Sequence, residues 1–180
     1  IIAISEDDDT VVVSGKSQFN INKDVFNNQG EDEAYQEKTL ILGWNQQAET
    51  IINELDEYVA KGSQVMIVNE DIIDVNTIET EKQLVNFTKG KITDRKTIEN
   101  IHPENYDHII LLSDPRIHVQ ESDARTLICL LHLRNLSEKY QKPFSIVSEM
   151  KDIRNQELGV VAKADDFIVM NVRRAIDNEL

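Results

Sequence analysis

Thr39-Leu40-Ile41-Leu42-Gly43-Trp44-Asn45-Gln46-Gln47-Ala48 is the stretch that decides the fold. The apolar run reaches its glycine without the alternation expected of a strand with one wet face, so it reads as a strand buried on both faces. Beyond the glycine the period changes: Ile51, Ile52, Leu55, Tyr58 and Val59 share one helical face, and Gly62 stops the pattern. Gln64-Val65-Met66-Ile67-Val68-Asn69, closing on Glu70, is a second buried strand. Strand, glycine turn, helix and strand together make one right-handed crossover unit.

The same rhythm continues toward the C-terminus. Leu84-Val85-Asn86-Phe87 reads as a third strand, and residues 94–101 form a short helix before Pro103. His108-Ile109-Ile110-Leu111-Leu112 is a fourth strand, ending at Ser113-Asp114-Pro115. Residues 122–140 are helical and apolar on most faces. Phe144-Ser145-Ile146-Val147-Ser148 and Phe167-Ile168-Val169-Met170 supply two more strands, with a helical stretch over residues 152–162 between them. The expected fold class is therefore α/β, a doubly wound parallel sheet in the order 3-2-1-4-5-6. Ligands of such sheets bind beyond the carboxyl ends of the strands, near the switch between strands one and four. The residues that follow Leu42, Asn69, Leu112 and Val147 are the ones to weigh.

Upstream of Lys38 the pattern is different. Two short β-type runs, residues 1–5 and 10–14, flank Glu6-Asp7-Asp8-Asp9, and residues 14–37 lack any period. The expected organisation is the tail of a preceding lobe plus a linker over residues 1–37, then one α/β domain over 38–180. The opening Ile1-Ile2-Ala3-Ile4 lacks a basic n-region and a small-residue cleavage site, so it reads as an internal cut and not as a signal peptide. Residues 171–180 read as the start of a truncated helix that would contact a partner lobe.

Composition narrows the function classes. The chain carries 19 basic and 33 acidic residues, a net charge of −14. Such a surface repels phosphate backbones and anionic headgroups, which argues against nucleic-acid binding and direct membrane contact. The single cysteine, Cys129, excludes an internal disulfide and fits a reducing compartment.

The first turn is a damaged dinucleotide fingerprint. The pattern G-x-G-x-x-G/A needs its second glycine so that backbone can approach the pyrophosphate. Here Gly43 and Ala48 fit, but Asn45 stands at the second position, so NAD binding is expected to be weak or nil. Gly43, Trp44, Asn45 and Glu70 are the candidate cofactor-contacting residues, Glu70 standing where an acid would meet ribose hydroxyls. Glu70, Asp114 and Glu149 each follow or close a different strand and form a candidate metal rim, for which calcium is the suited cation. The Glu6–Asp9 run lacks the spacing of an EF-hand loop and reads as a solvated turn. At the start of the long helix Asp123 suits the positive end of the dipole and is expected to cap it, an interdomain contact by Arg125 being the alternative. Cys129 and His132 lack a second pair at ligand spacing and read as a packed thiol and a partly exposed imidazole. No G-x-S-x-G, P-loop or H-E-x-x-H motif occurs.

Gly90-Lys91-Ile92-Thr93-Asp94, leading into a helix and the fourth strand, is similar to an element of potassium-conductance regulator (RCK) domains, Rossmann-like modules attached to channels and transporters. Within that group the chain resembles the CASTOR/POLLUX ion channels. The residues that carry the resemblance are Leu42-Gly43-Trp44, Ser122-Asp123-Ala124-Arg125-Thr126-Leu127, Leu130-Leu131-His132-Leu133-Arg134, Ile146-Val147-Ser148-Glu149-Met150, and Ala164-Asp165-Asp166-Phe167-Ile168-Val169. The resemblance implies a non-enzymatic, ligand-sensing domain on the cytoplasmic face of a membrane, gating a cation (potassium or calcium) channel. Its implied partners are neighbouring regulatory lobes and a pore domain, in a tetrameric parent. Two alternatives stay open: an NAD(P)-dependent oxidoreductase fragment, and the regulatory subunit of a potassium transporter.

Overall fold

The computed structural model describes residues 34–155 and 166–169, all within one compact unit, Glu33–Leu180. Its sheet has six parallel strands in the order β3-β2-β1-β4-β5-β6. These are β1 (Lys38–Leu42), β2 (Ser63–Asn69), β3 (Gln83–Lys89), β4 (His108–Leu111), β5 (Ser145–Met150) and β6 (Asp166–Val169). The helices are α1 (Ala48–Tyr58), α2 (Arg95–Ile101) and α3 (Val119–Tyr140). The expected order is observed, and β1 lies at the switch, with Leu42 opposite Val68 of β2 and Leu111 of β4.

The continuous apolar runs are explained by burial on both faces. Side chains alternate along a strand. Leu40 and Leu42 accordingly pack with Ile98 of α2 and with Cys129, Leu133 and Leu136 of α3. Ile41 faces the other way, against Ala48 and Ile52 of α1. Each fully buried leucine or isoleucine contributes about 1.5–3 kcal/mol through removal from water. The long helix looks apolar all round in sequence because Ile128 and Leu131 remain exposed opposite its buried stripe. Among the described residues no helix is long and apolar enough to cross a membrane.

Several boundaries differ from the sequence reading. Residues 34–37, expected in the linker, are hydrogen-bonded to the domain: Ala60 N–H donates to the Tyr35 carbonyl (3.0 Å) and Gln64 N–H to the Glu37 carbonyl (2.8 Å). Helix α3 starts at Val119, with His118 as its N-cap, so Ser122 and Asp123 lie inside its first turns. Of the helix expected over residues 152–162, the described part holds a 3-10 turn, Ile153–Asn155, and residues 156–162 lie outside the described residues. The expected lobe tail, most of the linker and the terminal helix start fall in residues 1–33 and 170–180, outside the described residues.

Cys129 is fully buried on the inner face of α3, and burial pushes its thiol pKa up. Thiolate is the reactive form, so alkylation should require unfolding. We expect iodoacetamide to label native chain on the order of a thousandfold more slowly than chain in urea, with the native rate tracking stability. Equal rates in both conditions would contradict the burial. His132 is half-buried and turned to the Thr93 carbonyl (3.2 Å).

Candidate functional site

Gly43 ends β1 and makes the sharp turn at the switch. Its φ of +91° is a conformation that favours glycine, and a Cβ there would lie 2.5 Å from the Leu112 carbonyl oxygen. Its amide donates to the Val68 carbonyl (2.9 Å), so β1, β2 and β4 all converge on it. The glycine is required by the close approach of backbone to backbone.

Asn45 fills the position where a second glycine would admit a pyrophosphate. Its Oδ1 accepts the Gln47 N–H (2.9 Å), and its main-chain carbonyl accepts the Ala48 N–H (3.2 Å). Two amides at the entry of α1, which an anion would otherwise use, are thereby taken. Asn45 Nδ2 reaches across the switch to the Ser113 carbonyl (3.2 Å) and to Glu149 Oε2 (2.7 Å). The same Glu149 oxygen accepts the Ser113 N–H (2.9 Å). A closed polar knot therefore joins the ends of β1, β4 and β5, around a carboxylate only 5% exposed.

A second set of ties closes the neighbouring cleft between the ends of β2 and β4. Arg116 bonds to Asp114 Oδ2 (2.9 Å) and to Asp71 Oδ2 (2.5 Å). The hydrogen bonds to Asp114 and then Asp71 hold the guanidinium pKa above its ordinary value, and Arg116 in turn lowers that of Asp114. Arg125, for which an interdomain contact was the alternative reading, pairs with Glu121 (3.0 Å) and lies 3.9 Å from Glu70. About 50 Å³ remains between Gly43, Glu70, Asp114, Ser122 and the two arginines.

The metal rim is not assembled. Glu149 lies in the knot, Asp114 in the Arg116 fork and Glu70 beside Arg125. Among the described residues no group of three or more metal-ligating side chains is positioned for an ion. Each carboxylate has its own donor, which relieves the repulsion that a shared calcium ion would have relieved. Glu6–Asp9 lie outside the described residues.

Of the candidate cofactor residues, Gly43 and Glu70 line the small cleft. Trp44 and Asn45 instead line a groove of about 500 Å³ on the α1 side.

Asp123 has a different role from the one expected. It is 1% exposed and does not cap α3. Its carboxylate accepts from the N–H groups of Lys151 (2.9 Å) and Asp152 (3.0 Å) and from Asn155 Nδ2 (2.8 Å). It thus fastens the loop that follows β5. Lys151 Nζ also reaches the Asp114 carbonyl (2.5 Å), linking that loop to the one after β4. A hydrogen bond from Arg154 draws the Asp152 pKa down to about 2 at the exposed end of the loop. Arg116 and this clamp escaped sequence reasoning; an acid just inside a helix, facing donors from a distant loop, has no local signature.

The TrkA-N domain model matches residues 39–170, from the first strand through the last. The chain belongs to the TrkA-N domain family. As a TrkA-N domain it is similar to the probable ion channel POLLUX of Oryza sativa subsp. japonica, 25% identical over 95% of this chain and 22% of that protein. It thus spans about a quarter or less of the length of the channel relatives it matches. Among solved structures it resembles GsuK bound to ADP, with a TM-score of 0.55 and 19% identity, covering 74% of this chain and 31% of that one. It also resembles the NAD(P)-binding domain of an exopolyphosphatase-related protein from Archaeoglobus fulgidus, with a TM-score of 0.56 and 15% identity over 75% of this chain and 89% of that one. At these identities the structural likeness of the TrkA-N domain concerns the fold.

Proposed function

We propose that this TrkA-N domain is the non-enzymatic gating module of a cation channel, placed on the cytoplasmic face of the membrane beside neighbouring regulatory lobes. The similarity to POLLUX supports the channel context, and the knot at the switch point carries the choice of sensor over oxidoreductase. A dinucleotide enzyme needs open backbone and free amides where Asn45 stands, and a buried carboxylate beside them repels a pyrophosphate. The same knot suits a mechanical role, because it couples three strand ends to the loops that face an adjoining lobe. A ligand gates such a module only through different affinities for two arrangements of the lobes.

Two measurements test this reading. Isothermal titration of the chain with NAD or NADH is expected to give no saturable binding tighter than about 1 mM. Micromolar binding abolished by Glu70→Ala would restore the oxidoreductase reading. In excised-patch recordings of the parent channel, Glu149→Gln should shift open probability and leave unitary conductance unchanged. An unaltered open probability would count against gating. The regulatory subunit of a potassium transporter stays the alternative, and membrane spans encoded upstream in the parent gene decide between them.

A further inference from the structure

β3 stands at one end of the sheet, and among the described residues no strand pairs with its outer edge. Successive residues of a strand turn their main-chain groups to opposite neighbours. The Lys82 carbonyl accepts from Gly62 N–H (2.7 Å) and Gly90 N–H donates to the Asn69 carbonyl (2.9 Å), so the even-numbered residues of β3 turn to β2. Gln83, Val85, Phe87 and Lys89 therefore turn outward. Gln83 is already served: its N–H donates to Asp56 Oδ1 (3.0 Å), and its carbonyl accepts from Thr80 Oγ1 (2.7 Å). Val85 and Phe87 keep open donors and acceptors in the middle of the strand, an edge of the kind that templates a further strand. Beside them Leu84 is 61% exposed.

We propose that β3 pairs with β3 of a second copy of this chain, antiparallel about a twofold axis at Asn86. In this register Val85 and Phe87 of one copy exchange main-chain hydrogen bonds with Phe87 and Val85 of the other, and Gln83 keeps its side-chain partners. Each of these facing pairs joins an aromatic to a β-branched side chain, a favourable cross-strand match, and Leu84 comes to lie opposite Thr88 of the second copy. The contact is self-complementary and closes at two copies. Charge selects both the partner and the direction. Glu79 and Glu81 precede the strand, Lys89 and Lys91 end and follow it, and all are exposed and form no ion pair within the described residues. Antiparallel pairing sets Glu81 opposite Lys91 of the second copy at both ends, with Lys89 diagonal to it. Lysines on an edge ordinarily repel a second copy, but here the acidic flank of one strand meets the basic flank of the other. The net charge of −14 opposes association at long range, and physiological salt screens it beyond about 8 Å.

Sedimentation equilibrium of the 180-residue chain at physiological salt is expected to show a monomer–dimer equilibrium. Its Kd should be on the order of 100 μM, as suits a contact below the standard interface size. Glu81→Lys and Lys91→Glu should each weaken the dimer at least about fivefold, since each sets like charges opposite at both ends. An equimolar mixture of the two variants should recover the affinity of the unaltered chain to within about twofold, because in the mixed dimer both ends again join opposite charges. Amide exchange at Val85 and Phe87 should slow as concentration rises, while exchange at Asn86, whose N–H turns to β2, should not. A chain still monomeric at about 1 mM, well above that Kd, would overturn the proposal. So would variants that leave dimerisation unchanged, a mixture no tighter than its components, or concentration-independent exchange at Val85 and Phe87.

Discussion

Replacing Gly43 by alanine is expected to lower the stability of the domain by about 2–5 kcal/mol, combining the left-handed backbone cost with the overpacking cost. Both arise at one atom. The φ of +91° disfavours any Cβ, and this Cβ would lie 2.5 Å from the Leu112 carbonyl oxygen, an atom of the backbone. Relief therefore requires β1 and β4 to separate at their carboxyl ends. That movement disturbs the Leu112 N–H to Leu42 carbonyl bond (2.9 Å) and the Gly43 bond to Val68. Gly90→Ala is the comparison: its Cβ would meet the Thr97 Cγ2 at the same 2.5 Å, but that is a side-chain methyl, so relief costs a rotamer change that gives up the Thr97 hydroxyl's bond to Asp94 Oδ2 (3.1 Å) and no separation of strands. Urea unfolding followed by circular dichroism should show a much lower midpoint for Gly43→Ala at unchanged m, with Gly90→Ala costing less than about 2 kcal/mol. A smaller loss at Gly43 than at Gly90 would refute the assignment.

Gly43 was legible in the sequence because the information there is local: an apolar run, a glycine and a change of period within a dozen residues. The strand order was legible for the same reason, since alternating buried strands and helices admit few topologies. The chemistry of the candidate site is distributed differently. Asn45 meets Glu149 across 104 positions, and Asp123 meets its loop across 28 and 29. Asn45 was visible as a departure from the glycine pattern, yet nothing nearby in sequence indicated its partners. The start of α3 shows the reverse error. Ser122-Asp123 has the composition of a cap, but His118 takes that place and leaves both residues buried on the inner face. The metal rim failed because strand ends bring carboxylates to one edge without deciding which donors reach them. Arg116 reaches Asp114 from the loop after β4, and Arg125 reaches toward Glu70 from α3.

Asp123→Ala is expected to release the loop after β5 and to cost about 2–6 kcal/mol, the penalty for leaving two buried amides without their acceptor. The carboxylate is 1% exposed, and its three donors are two backbone amides and the Asn155 side chain. Alanine leaves the Lys151 and Asp152 amides without an acceptor, at about 1–3 kcal/mol for each group that water fails to reach. Asp123→Asn keeps the shape but turns an amide NH₂ toward one of those donors, so it should recover only part of the loss. The effect should be local before it is global. Hydrogen exchange at Lys151 and Asp152 is expected to speed up strongly, while the β1 and β2 amides keep exchanging at the rate of global unfolding. Because Lys151 also holds the Asp114 carbonyl, the loop after β4 should loosen with it, and with both loops the surface offered to a neighbouring lobe. Under the proposed gating role, the variant should therefore weaken the dependence of open probability on ligand and leave conductance alone. Unchanged exchange at Lys151 and Asp152 in Asp123→Ala would remove Asp123 as the clamp, whatever the channel does.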